Sequence, residues 1–393
     1  MPRQRAPLWL LVFVTVSGTA AMHMFVPALP QAAQHFAVDR AAMQAAVTLY
    51  IFGMAIGQLV YGPLSDAFGR RPMLLLGLAL YTVSSAAAAF AASVKMLVTA
   101  RLFQALGGCA GHALGRAIVR DTSTPESTMR DLALLNLMSM MGPGLAPLIG
   151  AFITAAAGWR GIFVFLGTMG GIALFCAWRM LPESARSARN LRPRVLAREY
   201  AALFRSRAFL GYTLGGGVST TSFFAFVTAA PFILGSQFGR PSQEVGMHLA
   251  TLIVGMFLGN AFTRRFAGRI RNDRLMIGGN ALSVACALIM LVAAATHALN
   301  AYVATALMFF YTLGAGITSP AALTKALSIN PNVVGLAAGL YGFTQMTIGA
   351  LCTWLVGFGE DPALSAAAVL VVAALSGQLS FWIGVRAERE GRR

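Results

Sequence analysis

Few residues in this 393-residue chain can exchange a proton or hold a charge away from water. His23, Arg101, Gln104 and His112 all lie inside long apolar runs. Ionisable side chains are costly in such a setting and mark candidate functional sites. Histidine titrates near neutral pH, and a permanent positive charge beside it opposes its protonation. His23 lies about six residues from the end of its run and Arg101 about five, so at about 1.5 Å per residue both sit roughly 8–9 Å below one surface. Gln104 is one turn from Arg101, and His112 is three turns away near the same face. The alternative is helix packing, strongest for His112 in the small-residue stretch GCAGHALG.

A second constellation is LVYGPLSDAFGRRP, residues 59–72, where an apolar run stops for a charged turn. Gly62-Pro63 reads as the end of a helix and Gly69 as a tight turn. Asp66 is placed to pair with Arg70 and Arg71, or to cap the positive end of a helix from the other half of the chain. Asp121, at the end of a later run, is a second partner for the arginines. An anchor for membrane topology needs only the two arginines. The added Gly, Pro and Asp point to a latch that is made and broken between two states of the two halves.

The elements that must position these residues follow from composition. The chain is 57% hydrophobic and 11% charged, with a mean hydropathy of +0.70. A soluble protein could not cover its surface with so few polar residues, so a polytopic membrane protein is expected. Twelve runs are long enough to cross a bilayer as helices, at about 8–29, 41–64, 72–92, 96–119, 132–156, 160–181, 208–234, 245–266, 274–296, 299–321, 333–357 and 363–385. Their continuity excludes a barrel. Residues 1–21 resemble a signal peptide, but the run continues to Leu29 and reads as an uncleaved helix.

Placing the N-terminus in the cytoplasm leaves only Arg40, Lys95, Arg160 and Arg240 outside, and Arg101 within a span, out of 30 Lys and Arg. That bias puts both termini in the cytoplasm. The net charge of +17 is therefore a topology signal rather than a nucleic-acid footprint. A six-helix half at 1–181, a cytoplasmic linker at 182–207 with an amphipathic VLAREYAALFRS, and a second half at 208–393 complete the layout. The gap at 259–274 weakly echoes the 59–72 loop, as an internal repeat requires. The four cysteines have no disulfide or metal spacing. With no HExxH, serine-nucleophile motif or P-loop, enzymatic and ATP-driven functions are not expected.

The stretch from Gly57 to Pro72 resembles the hallmark loop of the major facilitator superfamily. RLFQALGGCAGHALGRAIVRD at 101–121 resembles its fourth-span motif, and GPGLAPLIGAF at 142–152 its fifth-span antiporter motif. MFVPALP at 24–30, RAIVRD and TAAPFIL at 228–234 resemble the drug-efflux branch of bicyclomycin- and chloramphenicol-resistance type. The resemblance implies an all-α membrane protein of twelve transmembrane helices in two pseudo-repeated six-helix halves. It implies a secondary active transporter, a proton-coupled antiporter exporting small drug-like molecules. The alternative is a metabolite exporter, importer or uniporter of the same fold without proton coupling. It also implies that spans one and four line the cavity, and that Gly142, Pro143, Pro147 and Gly150 limit leak, where simple packing is the alternative.

Relatives of this type carry an acid where this chain has His23, so proton coupling here would use a group that gains charge on protonation. Phe223, Phe224 and Phe226 in span seven, with Tyr341 and Gln345 in span eleven, suit an adaptable substrate wall. They suit lipid contact or helix packing equally well. With no acid in mid-span, neutral or zwitterionic cargo is favoured over cations. The expected partners are a small-molecule substrate, protons and the lipid bilayer, with no cofactor or metal. The chain is expected to be a monomer in the bacterial cytoplasmic membrane.

Overall fold

A computed structural model describes residues 6–122, 125–184, 193–266, 268–330 and 334–390. It divides into two compact units, Met1–Leu191 and Arg192–Arg393. In the first, α1 (Leu8–Met24) passes through a 3₁₀ turn (Val26–Ala28) into α2 (Leu29–Phe36). Pro27 lacks an N–H and interrupts the α-helical bonding there. Next come α3 (Arg40–Phe68), α4 (Arg70–Ala89), α5 (Val94–Thr122) and α6 (Pro125–Met180). Asp39 caps α3 by accepting the Ala42 N–H at 2.8 Å. Gly158, at φ 70° and ψ 177°, breaks α6 into two helices in series.

The second unit opens with α7 (Pro193–Arg205), α8 (Arg207–Thr221) and α9 (Phe223–Ala230), the last prolonged by a π-helical turn (Pro231–Gln237). Then follow α10 (Ser242–Phe266), α11 (Asn272–Ala295), α12 (Ala301–Ser328), α13 (Val334–Leu355) and α14 (Pro362–Glu390). The helix α7 is one-sided, burying Leu203 against Phe209 and Tyr212 while Phe204 is exposed.

Among the described residues, nine helical segments are long and apolar enough to cross a membrane. The helix α5 is long enough but carries Lys95, Arg101, Arg116, Arg120 and Asp121. Similarly, α13 is diluted by Tyr341, Thr344, Gln345 and Thr347. Counting these two and both arms of α6, the twelve apolar runs each correspond to a helical segment.

Two sequence expectations need correction. Gly62-Pro63 does not end the second span, because α3 runs through it to Phe68 and stops at Gly69. Membrane helices tolerate an internal proline. The first span also continues past Leu29 to Phe36, so the equal depth of His23 and Arg101 cannot be read from run lengths.

Candidate functional site

Helix α5 carries the charge at the centre of the first unit. Arg101 is fully buried. Its Nη1 donates to the Ala21 carbonyl of α1 at 3.0 Å and to Gln104 Oε1 at 2.7 Å. Gln104 Nε2 in turn donates to Ser85 Oγ of α4 at 2.8 Å. The guanidinium lies over the Tyr50 ring, 4.0 Å from its centroid, with Phe25 and Phe163 at 5.5 and 5.8 Å. Tyr50 is itself fixed by donating to the Gly18 carbonyl at 2.6 Å.

His23, 4% exposed, sits two residues beyond the carbonyl that Arg101 holds, and Arg101 is the charge that acts on it. The structure therefore brings His23, Arg101 and Gln104 into one layer, through contacts rather than equal distance from the helix ends. Ser85 and Tyr50 complete that layer. Nothing in residue type distinguished them from ordinary packing.

His112 is not part of this network. Its Nε2 faces Arg116 Nη2 at 3.2 Å, one turn along α5. The intervening Gly108 and Gly111 press against the backbone of Gly18 and Val14 in α1. This is the close helix packing that small residues allow in a membrane.

The loop constellation is a charged junction of four helices. Arg70 Nη2 pairs with Asp66 at 2.7 Å, and its Nε with Asp121 at 3.2 Å. A further nitrogen donates to Ser65 Oγ. Gly69, at φ 98°, lets α4 begin immediately after α3. Glu183, just past α6, accepts the Arg70 and Arg71 backbone N–H groups at 3.0 and 3.2 Å. A carboxylate at a helix N-terminus satisfies free donors and complements the helix dipole. A Cβ on Gly69 would lie 2.7 Å from Glu183 Oε2, a second reason for glycine there. Arg71 Nη2 donates to the Trp178 carbonyl at 2.7 Å rather than to an acid.

Asp66→Asn should cut transport at least several-fold while the protein still inserts. Uptake by vesicles matched for protein content checks this, and wild-type transport would count against a functional role for Asp66.

The second unit has a counterpart that sequence reading missed. Lys325 Nζ, at the end of α12, pairs with Asp273 at 2.9 Å and with Glu388 at 2.8 Å. Tyr212 also donates to Glu388. The start of α11 and the ends of α12 and α14 thus carry a cluster like that of α4, α5 and the end of α6, with the cation moved to another helix. Lys325 is one of only two lysines in the chain, a weak signal available in the sequence.

The proposed wall residues lie in the second unit, where α8 and α9 pack against α13. Phe223, Phe224 and Phe226 are buried, the first two with ring centroids 4.4 Å apart. Tyr341 packs in a core with Phe209, Tyr212 and Phe381. Gln345 Nε2 donates to Thr220 Oγ1 at 2.5 Å, tying α13 to α8. Of the fifth-span residues, Pro147 and Gly150 are buried in α6. Gly142 and Pro143 fall in the same helix, with surroundings outside the described residues.

Known proteins resemble this chain over most of its length. An uncharacterized MFS-type transporter YdgK of Bacillus subtilis (strain 168) is 29% identical over 391 residues, spanning 98% of this chain and 96% of that protein. Multidrug resistance protein D of Escherichia coli (strain K12) is 29% identical over 352 residues, 88% of this chain and 87% of its own. A bicyclomycin resistance protein homolog of Haemophilus influenzae is 26% identical over 353 residues, 88% of each chain. The crystal structure of a D-xylose-proton symporter superposes with a TM-score of 0.74 at 17% identity, covering 94% of this chain and 95% of that one, which establishes the fold. The Major Facilitator Superfamily profile matches residues 8–353. With that match spanning most of a multi-pass, all-α chain, the protein belongs to the Major Facilitator Superfamily and is a membrane transporter rather than an enzyme.

Proposed function

We propose that this transporter is a proton-coupled antiporter that exports small, drug-like molecules by alternating access. The buried layer of His23, Arg101 and Gln104 carries this reading. Within it, the titratable imidazole of His23 stands beside a fixed charge that lies over one aromatic ring and near two more. Relatives named for multidrug and bicyclomycin resistance support drug-like cargo. The distribution of arginine supports cytoplasmic termini in a bacterial cytoplasmic membrane. The same reading takes the transporter to act as a monomer.

A second reading, transport without proton coupling, is favoured by one observation. The resemblance to drug exporters implies an acid at this position, where this chain has His23.

Everted vesicles with an imposed proton gradient separate the two. Substrate-induced proton release is expected in the wild type and is expected to vanish in His23→Ala at unchanged protein level. Coupling that survives the substitution would make His23 structural. Exchange indifferent to the gradient would establish the uncoupled reading.

A further inference from the structure

Helix α5 carries a second arginine whose situation is opposite to that of Arg101. Positions 101, 112 and 116 fall within about 60° of one another around the helix. Arg101 is fully buried and held by a carbonyl, an amide and an aromatic ring. Arg116 lies fifteen residues further along the same helix, towards its end at Thr122, and is exposed. Among the described residues, its one hydrogen-bonding partner is the His112 imidazole and no acid pairs with it. An imidazole that accepts from a guanidinium is neutral, so the charge of Arg116 stays uncompensated. A bare guanidinium facing lipid is expensive, whereas one facing a water-filled recess is not. Five residues nearer the helix end, Asp121 is already engaged by Arg70. Where His112 accepts at Nε2, its proton sits on Nδ1, which is buried without a partner. The pair is therefore an incomplete structural network, with one cation at the protein surface that no acid among the described residues offsets.

We propose that Arg116, steadied by His112, receives the carboxylate or a like oxyanion of the transported molecule. This rests on the export reading above and narrows its cargo to acidic or zwitterionic compounds. The guanidinium fork matches a carboxylate in two parallel hydrogen bonds, which a lysine at the same place could not make. The shortage of acids within the spans fits the same cargo, because no negative group competes for the site.

The test is equilibrium binding to the purified, detergent-solubilised protein. The probes are naphthoate, pyrenebutyrate and dansylglycine, each beside its methyl ester. At least one acid is expected to bind the wild type about tenfold or more tightly than its ester, the effect of one charged hydrogen-bonded pair. That ratio should fall to about one in Arg116→Gln. In Arg116→Lys, which keeps the charge and loses the fork, it should fall only part of the way. If Arg116→Gln does not fold, the Arg116→Lys decrease alone decides.

No preference for acids in the wild type, or a preference that survives loss of the guanidinium, would overturn the proposal. Displacement of every acid by phosphatidylglycerol in the micelle would also overturn it, reassigning Arg116 to a lipid headgroup. The readout needs no proton gradient, so failed proton coupling with the acid ratio intact would sink the antiport reading alone. A lost ratio with coupled export of neutral compounds would sink only this one.

Discussion

Gly150→Ala is expected to destabilise the first unit by about 3 kcal/mol, at the upper end of ordinary overpacking, and Gly150→Val by more. A Cβ at Gly150 would lie 2.0 Å from the Met24 carbonyl oxygen and 2.8 Å from Met24 C and Cα. Those atoms are backbone, so no rotamer change can relieve the clash; α6 must move away from the end of α1. In a membrane, helices are held by close packing and hydrogen bonds rather than by exclusion from water. Such a displacement therefore removes much of what joins the two helices. It would also shift His23, the residue next to Met24. Thermal unfolding in detergent should show the midpoint falling by roughly 6–12 °C for the alanine variant. Gly62→Ala is the control. Nothing lies within 4 Å of its added Cβ, and it sits inside α3. Alanine there should be neutral or stabilising by up to about 1 kcal/mol. Equal midpoints for the two variants would show that the α1–α6 approach is not under steric control.

The second large effect is on transport. Arg101→Met should reduce it about 100-fold or more, equivalent to roughly 3 kcal/mol, while changing stability by no more than about 2 kcal/mol. The two effects part because Arg101 is a poor structural residue. Its Nε and Nη2 are buried without partners, and no acid among the described residues offsets its charge. Methionine leaves the Ala21 carbonyl and Gln104 Oε1 without a donor, each costing about 1–3 kcal/mol. Removing an uncompensated buried charge offsets much of that loss. What cannot be replaced is the fixed positive charge beside His23. Vesicle transport and detergent melting, measured on the same preparations, decide the matter. Transport within threefold of wild type would reduce Arg101 to a packing residue. A collapse of both quantities together would make it structural.

Much of the architecture is legible in the chain because a bilayer imposes a simple rule. About 20 consecutive apolar residues are needed for each crossing, and the twelve runs all became helical segments. The ends of those segments were less legible. Gly62-Pro63 looks like a terminator by the rules of soluble helices, yet α3 continues to Phe68 because the membrane setting tolerates an internal proline. The i, i+4 spacing of His112 and Arg116 was visible in the sequence, but not that Arg116 would be exposed and otherwise unpaired. Glu183 gave no signal at all, since it caps α4 from 113 residues away.

Sequence alone determined that this is a multi-pass helical membrane protein with few ionisable groups inside its spans, because hydropathy and charge placement are local properties. Tertiary structure alone decided what those groups do. Arg101 is held by the carbonyl of Ala21, and a carbonyl is the same on every residue. Its place beside His23 depends on how α5 packs against α1. Arg70 and Lys325 have the same chemistry as any loop cation. The folding of distant helix ends around them makes each the centre of a charged junction. Residue types limit which partners are possible, and only the packing of helices far apart in the chain selects among them.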